Sequence, residues 1–289
     1  MPSSIKTYDF KPGLLAEIEL IPISSIFQQH EPILTKPHRA DFYHIFWFTK
    51  GTPVHTVDFI PIAIQPNTLL FVARNRVQFF DRSGQYDGWV LLFTDAFFNQ
   101  NPLDAQFLRH TILFRSLVDV PLVQLDQLET DLIPILHQLQ NEYAQPDDGL
   151  HLAILKNLLH NLLMLADREH RKQGASESRK GPHLDYTLAF TELLEKQFIN
   201  HQSVRQYAKQ LGITERRLQQ ATAEAVGKTP KQLIDERLLL EAKRLLVHTN
   251  QSIKEIAFTL GFEEPTHFSR LFRHHLAQTP AQFRKGFAV

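Results

Sequence analysis

The chain has 289 residues, of which 43% are hydrophobic, which is enough for two domains with separate cores. It has no cysteine, which excludes disulfides and thiolate metal sites, and no run of about 18 apolar residues, which excludes a helical membrane span. The formal net charge of +0 hides a division: residues 1–170 hold 12 Lys and Arg against 19 Asp and Glu, while residues 171–289 hold 19 against 12.

In chain order, the first readable stretch runs from Phe42 to Trp89 as short strands. Phe42, His44, Phe46 and Phe48 alternate with Tyr43, Ile45 and Trp47. Gly51, Pro53, Pro61, Pro66-Asn67, Asn75 and Ser83-Gly84 punctuate at intervals of about ten residues, the rhythm of a β-sandwich or small barrel. No βαβ alternation and no glycine-rich phosphate loop occur. The interior of such a barrel is a candidate effector pocket, lined by His38, Phe42, His44, Phe46, His55, Phe71, Gln78 and Trp89, with Arg39 or Arg74 placed to clamp a carboxylate. The competing reading, that these aromatics are simply core, stays open, because a one-residue slip in register exchanges the faces.

Two helices follow. One is expected over about Leu125–Tyr143, with Leu125, Leu128, Leu132, Ile135, Leu136 and Leu139 on one face. The other is expected over about Leu150–Arg171, with Leu152, Leu155, Leu158, Leu159, Leu162, Leu163 and Ala166. The second has more apolar surface than one barrel face needs. Pairing with a second copy of the chain and packing on its own barrel are both open. The polar, small and charged run from Lys172 to Pro182 then reads as a flexible linker.

The last hundred residues contain one helical unit twice. Ser203-Val204-Arg205-Gln206-Tyr207-Ala208-Lys209-Gln210-Leu211-Gly212-Ile213 is echoed by Ser252-Ile253-Lys254-Glu255-Ile256-Ala257-Phe258-Thr259-Leu260-Gly261-Phe262. The offset is 49 residues up to the glycine and 50 from Leu218/Phe268 to Pro230/Pro280. Ser203 with Gln206 and Ser252 with Glu255 form capping boxes. Val204, Tyr207, Ala208 and Leu211 share a helical face, as do Ile253, Ile256, Ala257 and Leu260. Gly212 and Gly261 stand where a left-handed cap is wanted. Thr214, Glu264-Pro265, Thr229-Pro230 and Thr279-Pro280 start further helices. Each copy therefore reads as helix, glycine turn, helix, the pattern of a helix-turn-helix that lays its second helix in the DNA major groove. Between the copies, Pro230 to about His248 forms a helix of roughly 27 Å at 1.5 Å per residue. That suits a strut between two recognition helices about one DNA turn, near 34 Å, apart. An acidic front and a basic rear agree with a DNA reader joined to a domain of another kind.

At these residues the chain resembles the AraC/XylS family of bacterial transcription regulators. The resemblance is most specific in Ile256-Ala257-Phe258-Thr259-Leu260-Gly261-Phe262, His267-Phe268-Ser269-Arg270-Leu271-Phe272-Arg273 and Thr279-Pro280-Ala281-Gln282-Phe283-Arg284. It covers about 184–289 well and 36–98 more weakly, through His38-Arg39-Ala40-Asp41-Phe42-Tyr43-His44-Ile45, Lys50-Gly51, Asp58-Phe59, Pro66-Asn67-Thr68-Leu69 and Asp87 to Phe93, where it is similar to the cupin-type sensor of many members.

The resemblance implies a two-domain, β + α protein. A cupin-like effector-binding and dimerisation domain (1–171) is followed by a linker (172–183) and an all-α domain with two helix-turn-helix units (184–289). It places Arg216, Gln219 and Gln220 of the first recognition helix and Thr266, His267 and Arg270 of the second toward bases. Arg can grip guanine, Gln can pair with adenine, and Thr can meet a thymine methyl. Arg217, Arg273 and Arg284 are expected at phosphates. The first unit has Gln220, Thr222 and Ala223 where the family shows Arg, Phe and Lys, so it is expected to read bases more weakly. The second has Leu276-Ala277 in place of an aromatic-glycine pair.

The implied function is a cytoplasmic transcription regulator, an activator by the commoner family role. Its expected partners are promoter DNA, a small-molecule effector, RNA polymerase and a second protomer, with no membrane. No cofactor and no metal are expected: cupin enzymes need more ligands than His38 and His44 supply, and Ala40 and Gln78 occupy two of the ligand positions. Two rivals stand beside this reading. One is the same fold governed by a protein partner. The other is a metal-dependent cupin enzyme fused to a DNA reader.

Overall fold

A computed structural model of the protein describes residues 4–10, 17–81, 87–99, 101–114, 120–125, 131–173 and 182–287. The chain divides into one unit of residues 6–176 and a second of residues 177–289 together with 1–5.

The first unit is built from β1 (Lys6–Tyr8), β2 (Ile18–Pro22), α1 (Ile23–Leu34), β3 (His38–Ala40), β4 (Tyr43–Lys50), β5 (Val54–Val57), β6 (Ile60–Ala63), β7 (Thr68–Val72), β8 (Gln78–Phe80), β9 (Asp87–Phe93), α2 (Asp95–Phe98), α3 (Pro102–His110), β10 (Leu122–Gln124), α4 (Leu132–Tyr143) and α5 (His151–Lys172). The strands form two five-stranded sheets, ordered β1-β3-β8-β5-β6 and β10-β7-β4-β9-β2. Pairing is antiparallel except between β1 and β3.

The sheets face each other as a sandwich. Phe46, Phe48, Leu70, Val72 and Val90 from one meet Val57, Ile62 and Phe80 from the other. The outer face of the second sheet presents Tyr43, Ile45, Trp47, Leu69, Phe71, Leu91 and Phe93 to Leu136 and Leu139 of α4 and to Leu155, Leu159, Leu162 and Leu163 of α5. β4 and β7 are therefore covered on both faces. This is why β7 (Thr68–Val72) is buried at every position and reads as a continuous apolar run. Each such side chain contributes roughly 1.5–3 kcal/mol by leaving water.

The helices expected after the strands differ at their starts. α4 begins at Leu132, and Leu125 instead lies in an extended segment whose N–H donates to the Asn67 carbonyl. Leu128 lies outside the described residues. α5 runs from His151, one residue inside the expected start, to Lys172. Of the expected linker, residues 174–181 lie outside the described residues, and Pro182 and His183 already belong to the next helix.

The second unit contains α6 (Pro182–Gln197), α7 (Val204–Gln210), α8 (Glu215–Val226), α9 (Pro230–His248), α10 (Ile253–Thr259), α11 (Pro265–Leu276) and α12 (Pro280–Phe287). α7 and α8 are the first copy of the repeat, α10 and α11 the second, and α9 is the strut between them. Its bounds are those expected from the sequence.

The local signals act as their chemistry requires. Ser203 and Gln206, Thr229 and Gln232, and Ser252 and Glu255 close reciprocal capping boxes. The Thr214 hydroxyl accepts from the Arg217 N–H to start α8. Gly212 and Gly261 take φ of +67° and +82° between the helices of each pair. Ile256, Ala257, Leu260, Phe268, Phe272 and Phe283 join Leu238, Leu239, Ala242, Leu245 and Leu246 of α9 in one core.

Candidate nucleic-acid interface and sensor interior

The two recognition helices are alike in backbone and unlike in the surface they offer. On α8, Leu218, Ala221 and Thr222 are buried, so the opposite side carries Arg216, Gln219 and Ala223 at i, i+3 and i+7. Arg216 and Gln219 are exposed, and neither is tied to another side chain among the described residues. Arg217, Gln220 and Glu224 form a second stripe on the flank nearest α6. The Arg217 guanidinium lies 4.9 Å from the centre of the Tyr186 ring. Gln220 Nε2 donates to Glu224 Oε1 over 2.9 Å, and His183 Nδ1 donates to Glu224 Oε2. The four residues expected at bases or phosphates on α8 are thus split between an open face and a flank already engaged by α6. Tyr186, His183 and Glu224 were not among the expected site residues. A sequence signal exists only for Glu224, four residues after Gln220 on one helical edge.

On α11, Phe268 and Phe272 are buried and Thr266, His267, Arg270 and Arg273 are exposed. Its N-cap, Glu264, makes no side-chain bond to the helix backbone. Instead its carboxylate accepts from Thr266 Oγ1 over 3.2 Å and lies 4.0 Å from His267 Nε2. The 50-residue offset superposes Gln220 on Arg270, Ala223 on Arg273 and Glu224 on His274, so two cations of the second face have no counterpart in the first. The Thr222 side chain, where the family shows an aromatic, is fully buried, and its hydroxyl donates to the Gln219 carbonyl.

Arg284 departs from its expected place at a phosphate. Its Nε donates to the Leu246 carbonyl over 2.9 Å and its Nη2 to the Gln251 carbonyl over 2.6 Å. It bonds one carbonyl in the last turn of α9 and one in the segment before α10, and ties α12 to both.

The front unit brings together part of the expected pocket. His38, Phe42, His44, Phe46, His55 and Gln78 are all buried. Gln78 on β8 bridges the sheets: His55 Nε2 lies 3.0 Å from its Oε1, and its Nε2 lies 3.1 Å from His44 Nε2 on β4. With the amide so placed, His55 donates through Nε2, while His44 accepts at Nε2 and carries its proton on Nδ1. Among the described residues the Nδ1 atoms of both rings have no hydrogen-bond partner. Burial, reinforced by neighbouring histidines, lowers the His44 pKa to about 3. Burial also lowers that of His55 to about 3, against the raising effect of the Gln78 bond. Both rings are neutral at ordinary pH. Phe46 stacks on His44 at 5.5 Å and meets His55 at 5.1 Å, while Phe42 lies 4.9 Å from His44. His38 Nδ1 donates to the Lys36 carbonyl over 2.9 Å.

Phe71 and Trp89 do not belong to this interior. Their register partners are Ile45 and Trp47, which places them on the helix-covered face of the sheet. In β7 the inward residues are Leu70 and Val72. Arg74 pairs with Asp95 and is not available as a carboxylate clamp in this arrangement. Among the described residues no group of three potential metal ligands occurs, and no helix is long and apolar enough to cross a membrane.

Comparison with known proteins bears on both units. A family model described as a helix-turn-helix domain matches residues 207–286, from within α7 to within α12. The chain is 26% identical over 277 residues to the HTH-type transcriptional activator RhaS of Enterobacter sp. (strain 638), covering 89% of this chain and 93% of that protein. It is 24% identical over 287 residues to RhaS of Escherichia coli O139:H28 (strain E24377A / ETEC), covering 94% and 97%. Among solved structures, an AraC-type transcriptional regulator from Chromobacterium violaceum is 28% identical with a TM-score of 0.33, covering 36% of this chain and 93% of that one. ToxT from Vibrio cholerae is 13% identical with a TM-score of 0.43, covering 93% and 97%. With two helix-turn-helix units, each exposing a polar recognition face, and relatives that match over nearly their whole length, the chain is a DNA-binding transcription regulator similar to the RhaS activators, in keeping with its resemblance to the AraC/XylS family.

Proposed function

We propose that the protein is a cytoplasmic transcription activator that reads two neighbouring major-groove boxes and responds to a small molecule held inside the cupin-like front sandwich. The observation that carries this reading is the pair of exposed recognition faces, Arg216 and Gln219 on α8 and Thr266, His267, Arg270 and Arg273 on α11, set on either side of the α9 strut. Arg216, Gln219, Gln220, Thr266, His267 and Arg270 meet base edges, while Arg217 and Arg273 meet phosphates. The curated relatives are named as activators, which supports the same role here, with RNA polymerase as the further partner.

The effector reading rests on the inward set His38, Phe42, His44, Phe46, His55 and Gln78. Buried polar atoms normally have partners, and the two open imidazole nitrogens, one a donor and one an acceptor, are where a ligand's polar group would be recognised. An effector acts only through different affinity for two arrangements of the reader. Homodimerisation through α5 is supported by Ile154 and Met164, 38% and 45% exposed on its outer side.

Selection of duplex DNA from a random library by the purified full chain tests the reading. The expected result is two short boxes with centres about 10 base pairs apart. Recovery of a single box, or of no shared sequence, would overturn it.

A further inference from the structure

α6, the helix that follows the interdomain segment, contacts two side chains on one flank of α8, Arg217 and Glu224. His183 and Tyr186 are three residues apart on α6 and so share a face, while Arg217, Gln220 and Glu224 share a flank of α8 at i, i+3 and i+7. The two stripes meet. Tyr186 lies under the Arg217 guanidinium at 4.9 Å, and His183 engages one oxygen of Glu224. The other oxygen of Glu224 accepts one N–H of Gln220 over 2.9 Å. The Glu224 carboxylate therefore has one oxygen on α6 and the other on a candidate reading side chain.

We propose that His183 and Glu224 are positioning residues that fix the orientation of the Gln220 amide toward DNA, with Tyr186 holding Arg217 in the same way. A carboxylate only accepts, so it must face the NH2 side of the amide, and this settles which end of Gln220 is donor and which is acceptor. One N–H of Gln220 is used by Glu224. The second N–H and the carbonyl oxygen remain, which are the donor and acceptor that an adenine edge requires. Without Glu224 the amide can turn over, and its preference between bases weakens. His183 holds the carboxylate in place and offsets part of its charge near the phosphates. The second unit has Arg270 and His274 at the corresponding places, so this relay is particular to the first. The inference rests on the DNA-reading assignment above.

The experiment uses the full chain and the duplex selected by the wild type, with every base pair of the first-unit box varied in turn. Glu224→Ala is expected to reduce discrimination at one base pair about ten-fold. Gln220→Ala should show the same loss at the same position, and the double variant no more than either alone, with the second box unaffected. Glu224 and Gln220 are both exposed, and an unchanged melting temperature would separate this loss from unfolding. Tyr186→Ala is expected to flatten the dependence of log Kd on log salt by about one, as Arg217→Ala does, and Tyr186→Phe to restore it. If Gln220→Ala abolishes the preference while Glu224→Ala leaves it intact, the relay is overturned. If Gln220→Ala changes preference nowhere, it is overturned as well. Failure of the wild type to select any sequence would instead remove the DNA-reading assignment itself, and the relay with it.

Discussion

Ala277 ends α11 in the left-handed conformation that Gly227 holds at the same place after α8, with φ of +55° against +68°. Each donates its N–H to a carbonyl four residues back, Arg273 and Ala223 respectively. The motif is the same, but a side chain with a Cβ occupies one copy at a cost of about 1 kcal/mol or more. Ala277→Gly is therefore expected to stabilise the second unit by roughly 0.5–1 kcal/mol after allowing for the greater freedom of glycine in the unfolded chain. Urea unfolding followed by far-UV circular dichroism measures this, and a destabilised variant would contradict it.

The two turn glycines are not equivalent either. A Cβ on Gly212 would meet nothing within 4 Å, whereas one on Gly261 would lie 2.0 Å from the Ile199 carbonyl oxygen. Both have positive φ, so Gly212→Ala should cost about 1–2 kcal/mol from backbone strain alone. Gly261→Ala carries the same strain plus a clash with main chain, and roughly 3 kcal/mol or more is expected. The paired denaturation curves check the difference; equal losses would mean that the loop before α7 yields easily.

Gln78 is the polar link between the sheets. Gln78→Leu would strip the Nε2 atoms of His44 and His55 of their partners while their Nδ1 atoms are already open. A loss of about 2–4 kcal/mol in the front unit is expected, since each newly unsatisfied buried group costs roughly 1–3 kcal/mol. Trp47 and Trp89, the two tryptophans of the chain, both lie in that unit, so intrinsic fluorescence follows its unfolding alone.

The same histidines make the front unit acid-sensitive. Their pKa values stand near 3 in the folded protein and about 6.5 when unfolded, so below pH 6.5 the unfolded chain takes up protons that the native rings refuse. Stability is full above about pH 7 and falls as pH drops from 6.5 toward 3, by about 1.4 kcal/mol per pH unit for each ring. Tryptophan fluorescence in urea at pH 7, 6 and 5 tests this above most carboxylate titration. A flat profile would mean that the rings are solvated.

The second recognition face should carry more of the affinity. Arg270→Ala is expected to cost about 1–3 kcal/mol and relax preference at one base pair. Arg273→Ala should weaken all sequences alike and lower the salt slope by about one. Arg216→Ala should cost less than Arg270→Ala by fluorescence anisotropy on the selected duplex, because Gln220 and Ala223 put no cation beside Arg216 where Arg270 and Arg273 stand in α11.

What could be read from the chain was what short-range chemistry decides. The serine and threonine caps, the Gly212 and Gly261 turns and the span of α9 follow from hydrogen bonds and backbone freedom within a few residues, and they stand in the structure where the residues put them. In β4 the expected inward residues His44 and Phe46 do point inward together, although Tyr43 to Phe48 are buried on both faces and the pattern there carries no sign of direction either. In β7 the expected inward residue does not. All five of its residues are buried, so hydrophobicity carries no sign of direction, and pairing with β4 alone sends Phe71 outward. The same pairing of β4 with β9 turns Trp89 away. Arg284 was drawn to carbonyls 38 and 33 residues earlier in the chain, and Arg217 and Glu224 to Tyr186 and His183 of α6, more than 30 residues before them. Local periodicity sets which side chains share a face. Only the packing of distant segments decides what that face meets.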